Sequence, residues 1–349
     1  MRVVIVAAPL SARSGVYRST LDLVAAARRR GLDWQACIGV RAEASGRPTT
    51  APGVIEYTAR DHGARVVHEV QRRSAPSVAA ADVVISMVPQ SDVAVSAARS
   101  VGSPLRIAWV RGLPWPARGE QPGWRRSAIA AIERRALRRA DAVWVTSPLL
   151  REEMGWGPSA TVVPAGIPIL DRRHDGSDAG ELIFAGRLSA EKNIEMFLEV
   201  AHRTALPARV HGEGPLLSSA QRTAASSVRW HGWTPHEDVW AAPGTLLCPS
   251  HREAFGRSAV EAASAGVPVV LSDRTGVAPL LFRDPDLERR FVLPVGDVPA
   301  WVAAVRALTA DEDLRRRVSS HLAASARRLS EDASLDAALA ALDTLMRTP

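Results

Sequence analysis

The chain has 349 residues, 46% of them hydrophobic and 23% charged, with a formal net charge of +7 at pH 7. These values exclude wholesale disorder and leave enough apolar sequence for the cores of two domains. No apolar run approaches the roughly 18–20 residues of a membrane span, and the opening MRVVIVAAP is too short for a secretion signal. Two isolated cysteines, Cys37 and Cys248, favour a reducing compartment, so we expect a cytoplasmic protein.

The positive charge is concentrated in the first half of the chain. Residues 1–168 contain 23 arginines and 13 acidic residues, whereas residues 169–349 contain 21 basic and 24 acidic residues. A basic half favours an anionic partner such as a membrane surface, a nucleic acid or a phosphorylated substrate. A coding preference for arginine, with the side chains on solvated helix faces, explains the same numbers equally well.

Short β-branched runs alternate with helical stretches along the chain, a pattern typical of parallel α/β folds. The first strands predicted are RVVIVAA, WQACIGV, DVVISMV, LRIAWV, AVWVTS and ATVVPAG, with helices over 17–30 and 125–139. The polar, turn-rich stretch 166–181 is the predicted linker. The second half continues with LIFAG, ARVHG, VRWHG, TLLCPS, VPVVLS and RFVLP, and from position 298 the apolar spacing predicts helices to the end.

These elements predict two doubly wound, Rossmann-like domains in tandem. We expect the first over residues 1–168 and the second over 169–330, with a C-terminal helix in 331–349 that packs back towards the first domain. Ligands of such folds bind beyond the carboxyl ends of the strands, and a cleft between two domains holds a ligand readily. Residues that directly follow strands are therefore the first functional candidates.

The motif GRLSAEKN, residues 186–193, contains the single lysine of the chain, Lys192, five residues after Arg187. A strand is predicted to end just before Arg187 and a helix to begin near Ser189 or Ala190, so the two cations flank a strand-to-helix turn. A planar guanidinium and a compact ammonium suit the unequal oxygens of a diphosphate. The alternative is an ordinary helix-surface lysine that pairs with a neighbouring glutamate.

The stretch CPSHREAFGRSAVEAASAGVPVV, residues 248–270, predicts a strand, a loop, a helix from about Ser258 and a further strand. Backbone amides from Phe255 to Ala259 would form an anion site at the helix N-terminus. Glu261 is expected in the first turn, where a carboxylate can accept both hydroxyls of a ribose. The spacing of Ser258 and Glu261 also fits a capping box, which leaves the loop residue Glu253 unexplained.

The motifs GRLSAEKN, HGEGP and EAFGRSAVEAASAGVPVV, in this order and each after a strand, resemble the donor half of GT4 glycosyltransferases. Glu253 and Glu261 match the E-x7-E signature of that family. The resemblance is dense over residues 180–275 and thin elsewhere. It implies an α/β GT-B architecture, with two Rossmann-like domains facing each other across a cleft. It also implies transfer of a sugar from a nucleotide-diphosphate sugar to a hydroxyl acceptor, a glycan, lipid or natural product, with retention of configuration.

The resemblance also implies roles for individual residues. Arg187, Lys192 and Glu253 would form the catalytic set, with the two cations on the donor diphosphate and Glu253 at the donor sugar. Glu261 would bind the ribose and Ser258 the phosphates. The complete predicted donor-binding set is Gly15, Gly186, Gly212, Gly214, Ala254, Phe255, Gly256, Ser258 and Glu261. No metal and no cofactor beyond the nucleotide-sugar substrate is expected.

The acceptor side is assigned to the first half, where the resemblance is weaker. Gly15 follows the first strand and opens a helix, so the backbone there can approach a phosphate. The family often has two adjacent glycines at this point, whereas this chain has Ser14 and Gly15. Trp109, Trp115 and Trp124 could stack on a sugar, although core or surface packing explains them equally well.

Three further departures from the family pattern leave the sugar contacts open. Arg111 stands where the family commonly has a histidine, and with Trp115 it is an acceptor-side candidate. Arg111 could meet an anionic sugar or acceptor, or pair with Glu120. Ala165 and Pro168 replace polar groups, and RTGVAPLL replaces a glycine-rich run that ends in glutamate.

Two other patterns suggest competing functions. Asp284-Pro-Asp286 has the D-x-D spacing of metal-dependent transferases, but Asp-Pro is also common turn chemistry. The helix WRRSAIAAIERRALRRAD presents a cationic patch that could bind a nucleic acid or an anionic membrane at its inner face. A lipid-linked acceptor makes the membrane the better match to a transferase. A nucleotide-sugar epimerase of the same fold is a further alternative, and it would need no acceptor.

Overall fold

The computed structural model describes residues 1–13, 15–44, 46–97, 104–112, 122–155, 159–171 and 173–347. The chain divides into two compact units, one formed by Met1–Gly166 with Glu331–Pro349 and the other by Ile167–Ser330. The division therefore falls two residues before the predicted boundary. The C-terminal segment belongs to the first unit, although the chain reaches it only after completing the second.

A parallel sheet forms the centre of the first unit. Its described strands are β1 (Arg2–Leu10), β2 (Asp33–Arg41), β3 (Val54–Ala59), β4 (Val83–Ser86), β5 (Leu105–Val110), β6 (Ala142–Val145) and β7 (Ala160–Val162). Their order in the sheet is β3-β2-β1-β4-β5-β6-β7. The helices between them are α1 (Val16–Arg29), α2 (Arg65–Ala79), α3 (Pro89–Ser96), α4 (Gly123–Leu137) and α5 (Pro148–Glu153).

Strand β1 lies inside this sheet and pairs with β2 and β4, with Ile5 in register with Ala36 and Ile85. Its residues 3–8 are fully buried, as expected for a strand covered by helices on both faces. Strand β3 was not among the predicted strands. It lies at the edge of the sheet and leaves Ile55 57% exposed, so it lacks the buried apolar run of strands such as β1 and β4.

The second unit repeats this plan with β8 (Glu181–Ala185), β9 (Ala208–His211), β10 (Val228–Gly232), β11 (Gly244–Cys248), β12 (Val269–Ser272) and β13 (Val292–Leu293). The described strands are parallel and follow the order β10-β9-β8-β11-β12-β13. The helices are α6 (Ile194–Thr204), α7 (Leu217–Thr223), α8 (His236–Val239), α9 (Arg257–Ala265), α10 (Ala278–Leu281), α11 (Pro285–Phe291), α12 (Val298–Ala310) and α13 (Glu312–Ala326).

The last helix, α14 (Glu331–Arg347), packs against α1 and completes the core of the first unit. Leu335, Ala338 and Leu342 recur at helical spacing and are fully buried there. Ion pairs flank this apolar contact. Arg29 pairs with Glu331, and Arg30 pairs with Asp332 and Asp336. The packing explains why a segment so distant in sequence joins the first unit.

Each sheet changes its direction of growth at one place, between β1 and β4 in the first unit and between β8 and β11 in the second. Ligands of doubly wound sheets bind beyond the carboxyl ends of the two strands at such a switch point. The predicted α/β fold with two Rossmann-like sheets is confirmed. Throughout the described ranges, no helix is both long enough and apolar enough to cross a bilayer.

Candidate active site

A small pocket, here called the β8–β11 pocket, lies at the carboxyl ends of β8 and β11. Four predicted site residues line it: Lys192, Glu253, Gly256 and Ser258. The remaining lining residues are Phe184, Ala185, Leu247, Cys248, Ser250 and Thr275. The strand order thus brings the GRLSAEKN motif and the EAFGRS motif to one place, although 61 residues separate Lys192 from Glu253.

Lys192 lies in a 3-10 turn over 190–192 rather than in an α-helix. The helix start predicted near Ser189 or Ala190 therefore corresponds to this 3-10 turn, which begins at Ala190, whereas the α-helix α6 begins only at Ile194. Asn193 separates the two in a left-handed conformation with φ 56°, which asparagine tolerates better than most residues. Its side-chain amide donates to the carbonyl of Pro249 at 3.0 Å, which ties this turn to the loop after β11.

The Lys192 ammonium donates directly to Oε2 of Glu253. The lysine and glutamate side chains are 26% and 19% exposed, so the pair is largely screened from water. Burial lowers the pKa of Lys192, and the neighbouring Cys248 and Glu191 partly oppose this shift. Lys192 thus pairs across two loops, and the alternative of an ordinary pair on a helix surface is wrong.

The loop that carries Glu253 is held by the segment RTGVAPLL. The Glu253 amide donates to the Arg274 carbonyl at 3.1 Å, and the Gly276 amide returns a bond to the Glu253 carbonyl at 2.9 Å. The Val277 amide donates to the Phe255 carbonyl at 2.7 Å. This departure from the family pattern therefore supplies the backbone support on which the glutamate loop rests.

Helix α9 begins at Arg257 with Gly256 as its N-cap, at φ 107°, and no side chain caps it. The capping box proposed for Ser258 and Glu261 is therefore wrong, since the helix starts one residue earlier than predicted. Within the predicted anion site, the Ala259 amide already donates to the Gly256 carbonyl at 3.1 Å. The Ser258 hydroxyl lies in the pocket, 4.0 Å from the Cys248 sulfur.

Glu261 lies at the start of the second turn of α9, not in the first as predicted, and is only 8% exposed. Its Oε1 is 3.6 Å from Nη2 of Arg257, a partner that the prediction missed. The signal was present in the sequence as an arginine four residues before the glutamate. The nearby Ala254 and Phe255 are buried and do not line the pocket.

Arg187 lies two residues after the end of β8 and is exposed. Among the residues that the structure describes, its guanidinium has no hydrogen-bond or ion-pair partner. Gly186 before it donates its amide to the His211 carbonyl at 3.0 Å. A Cβ at Gly186 would lie 4.0 Å from Cε of Lys192, so this side of the turn is open.

Gly212 and Gly214 pack backbone against backbone on the GRLSAEKN turn. A Cβ at Gly212 would lie 1.9 Å from the Gly186 carbonyl oxygen, and one at Gly214 would lie 2.3 Å from that of Leu188. The Leu188 amide donates to the Glu213 carbonyl at 2.9 Å, which joins the two turns. These glycines position the loop that carries Arg187.

His211 ends β9 beside these turns. Its Nδ1 lies 3.0 Å from the Thr234 hydroxyl, and its ring stacks on His231 at 4.6 Å between centroids. Burial, with smaller contributions from His231 and Arg209, lowers the pKa of His211 to about 4. His211 is therefore a neutral imidazole at pH 7.

In the first unit, Gly15 is the N-cap of α1 with φ 51°. Arg111, after β5, is buried and donates from Nη2 to the Ser19 hydroxyl at 2.7 Å. Its guanidinium lies 4.4 Å over the Trp109 ring, a cation–π contact. Trp109 is fully buried, so it packs in the core and is not available to a sugar. Trp115, like Glu120, lies outside the described residues.

A further ion pair that the prediction missed holds the loop before Gly15. Arg13 binds Oε1 of Glu56 at 2.7 Å through Nη2, and the Tyr17 hydroxyl donates to Oε2 at 2.8 Å. Thr49 adds a backbone amide bond of 2.8 Å to the same oxygen. Despite burial, these bonds lower the pKa of Glu56. The contact is structural, because its charges are satisfied within the first unit.

The D-x-D pattern has a structural explanation. Asp284 is the N-cap of α11 and accepts from the Asp286 amide at 2.9 Å. Its other oxygen pairs with Arg317 at 2.6 Å. Within the described part of the chain, no group of three histidine, cysteine or acidic side chains could hold a metal ion.

Residues 172–323 match the family model described as Glycosyl transferases group 1. The match covers less than half of the chain and lies within the second unit, which is therefore similar to this family. The match covers the β8–β11 pocket and extends through α12 into α13. It therefore includes each predicted site residue of the second unit.

Curated relatives of the chain include a glycogen synthase and a mannosyltransferase. It is 27% identical over 226 residues to glycogen synthase of Mycobacterium tuberculosis (strain ATCC 25618 / H37Rv), a match of 57% of this chain and 54% of that protein. It is 28% identical over 181 residues to O-antigen chain mannosyltransferase B of Escherichia coli, covering 47% and 45% of the two chains. The chain thus spans about half the length of these relatives.

Solved structures share the whole fold. Sucrose-phosphate synthase of Thermosynechococcus elongatus has a TM-score of 0.81 at 17% identity, with complete coverage of both chains. Anabaena HepE, solved in complex with UDP and glucose, has a TM-score of 0.77 at 16% identity over 99% of this chain and 100% of its own. The predicted GT-B fold, with its two Rossmann-like sheets, is confirmed.

Proposed function

We propose that the chain is a retaining glycosyltransferase of the GT4 type, which moves a sugar from a nucleotide-diphosphate sugar to a hydroxyl acceptor. The observation that carries this proposal is the convergence of Lys192, Glu253, Gly256 and Ser258 on one pocket at the switch point. Two further facts support it. The family match covers the pocket, and a structural neighbour was solved with UDP-glucose.

The departing diphosphate determines which residues act in the reaction. When the bond between the sugar and the diphosphate breaks, its electron pair stays on the phosphate oxygen and negative charge grows there. Fixed cations beside that oxygen stabilise the transition state more than the ground state. We assign this role to Lys192 in the pocket and to Arg187, whose guanidinium has no partner among the described residues. The acceptor hydroxyl attacks from the face that the diphosphate leaves and gives its proton to the departing phosphate oxygen, so the configuration is retained.

Glu253 has a second role in this proposal. Without donor, its carboxylate neutralises the Lys192 ammonium. A diphosphate carries more charge and competes for the same ammonium, so donor binding exchanges one anionic partner for another. The exchange frees Glu253 to accept hydroxyl groups of the donor sugar. Binding of the donor thereby completes the site.

The start of α9 provides the remaining contacts with the nucleotide. The N-terminus of a helix favours phosphate oxygens, and the Ser258 hydroxyl adds a donor there. Glu261 would accept ribose hydroxyls through Oε2, because Arg257 approaches Oε1. This arrangement supplies positive charge from the protein alone, so we propose that neither a metal nor an organic cofactor takes part.

The acceptor side is proposed to lie in the first unit. Arg111 holds the start of α1 through Ser19, next to the Gly15 turn, so it shapes the edge where an acceptor would bind. We place Trp115 on the same side from the sequence alone. The two free cysteines, Cys37 and Cys248, support a cytoplasmic location.

A thermal-shift panel tests the proposal. UDP, GDP, ADP and dTDP, with their common sugar conjugates, are added to the wild-type chain, to Glu261→Ala and to Glu199→Ala. The control removes another glutamate of an i,i+4 pair with arginine, on α6. We expect one nucleotide to stabilise the wild type and the control but not Glu261→Ala. No shift with any nucleotide at millimolar concentration would contradict the proposal.

A further inference from the structure

One side of helix α4 packs on the rest of the first unit, and the other side faces solvent. Its buried residues are Ala130, Ala136 and Leu137, and it packs against α3. Successive residues of a helix are rotated by about 100°, so these three residues define one side of α4. Trp124 points to the opposite side.

Large apolar side chains lie on the solvent side of α4. Trp124 is 76% exposed and Ile132 is 56% exposed, whereas the described part of the chain buries most of its other large hydrophobic residues. An exposed tryptophan or isoleucine on its own is unremarkable on a protein surface. Trp124 and Ile132, however, lie on the same side of one helix, and arginine side chains surround them. Together these residues form one continuous surface.

The charges on this solvent side are all positive. Arg125 and Arg135 on α4, and Arg138 and Arg139 in the turn that follows it, are exposed, and within the described ranges none of these four pairs with an acid. The acidic residue of the helix, Glu133, is half-buried and lies on the side opposite Trp124. We call Trp124, Arg125, Ile132, Arg135, Arg138 and Arg139 the α4 surface.

We infer that the α4 surface binds an anionic lipid bilayer, with the helix lying in the plane of the interface. Tryptophan is enriched at the headgroup level, where its ring is partly apolar and partly polar. Arginines beside it meet lipid phosphates, and such helices combine a polybasic side with apolar anchors. A nucleic acid would also attract the arginines, but it would leave Trp124 and Ile132 without a function. This inference does not depend on the transferase proposal.

Vesicle flotation tests the inference with the full chain. Vesicles of phosphatidylcholine alone are compared with vesicles of equal parts phosphatidylcholine and phosphatidylglycerol, at low and high salt. We expect the protein to float with the anionic vesicles, to be released by salt because exposed charges are screened, and not to bind phosphatidylcholine. A DNA duplex serves as the competing polyanion.

Two sets of variants separate the apolar and the charged contributions. Trp124→Ala with Ile132→Ala should reduce binding about tenfold or more, from the lost apolar contact. Arg135→Gln with Arg138→Gln and Arg139→Gln should weaken it about fivefold per arginine. The matched controls are Trp233→Ala and the triple variant Arg72→Gln, Arg222→Gln and Arg328→Gln, all at exposed positions outside α4.

The outcomes divide clearly. Binding to anionic vesicles that both α4 variants lose and both controls keep supports the inference. The inference is overturned if no vesicle is bound, or if the α4 variants bind as the controls do. Binding that DNA displaces, and that survives removal of Trp124 and Ile132, would show a general polyanion surface and would also overturn it. Thermal unfolding of each variant verifies that it is folded.

Discussion

The two sheets share a topology but treat their polar groups differently at the switch point. At the first, between β1 and β4, buried polar side chains bond to the backbone or to one another. Ser91 bonds the backbone of Ala8, and Ser86 donates to Asp92 at 2.6 Å. At the second, Lys192 and Glu253 also pair with each other, but both of them line a pocket. The fold therefore places polar residues at the carboxyl ends of the strands in both sheets. The loops after those strands determine whether these residues form only internal contacts or line a pocket that can bind a ligand.

Removal of Lys192 should have the largest effect on activity. We expect Lys192→Ala to lower kcat by about 10²–10³-fold, because a fixed cation at a developing negative charge acts mainly in the transition state. The Kd for the donor should change far less. Rapid-quench kinetics with a separately measured Kd tests this, with Arg203→Ala on α6 as the control. Equal losses in kcat and in donor affinity would indicate that Lys192 binds the donor without stabilising the transition state further.

Substitution of Gly212 should have the largest effect on stability in the second unit. An added Cβ would overlap the Gly186 carbonyl oxygen, and the residue has φ 135°. We expect Gly212→Ala to lower the free energy of unfolding by roughly 2–4 kcal/mol. Gly186→Ala, where the nearest atom is 4.0 Å away, is the control for urea denaturation. Equal stability of the two variants would contradict the backbone packing described above.

The sequence predicted the residues of the pocket better than their partners. The strands that end at Ala185 and Cys248 were readable from their buried apolar runs, although the predicted strands extended one and two residues further. The pairing of Lys192 with Glu253 could not be predicted from the sequence, because it depends on which strands become neighbours in the sheet. The capping box failed for a local reason. Gly256, at φ 107°, starts the helix one residue early, and conformation at a glycine is weakly specified by sequence.

A smaller effect on stability is expected in the first unit, where Glu56 bridges Arg13 and Tyr17. The folded state lowers the pKa of Glu56 below its usual 4.5. Its ionised form therefore stabilises the fold above that value, and this contribution is lost as pH falls through the folded pKa. Glu56→Gln should lower the free energy of unfolding by about 1–3 kcal/mol at pH 7. On acidification the variant should lose less stability than the wild type does. Urea midpoints at neutral and acidic pH measure both.

Substitution of His211 should have the smallest effect on stability, and this effect should appear in a different pH range from that of Glu56. Its folded pKa of about 4 lies below the usual 6.5, so the unfolded chain binds the extra proton first. Stability should fall as pH decreases from 6.5 towards 4. His211→Gln should flatten that slope in urea titrations. A slope unaffected by His211→Gln would mean that its imidazole is not held neutral.

The single lysine allows the central claim to be tested by one measurement. A chain labelled with ¹⁵N and ¹³C only at lysine gives one side-chain ammonium, that of Lys192. We predict that the nucleoside diphosphate found in the thermal-shift panel moves its Nζ and Cε signals at saturation, and that the matching nucleoside does not. An ammonium signal unchanged by a bound diphosphate would contradict the assignment of Lys192 to the leaving group.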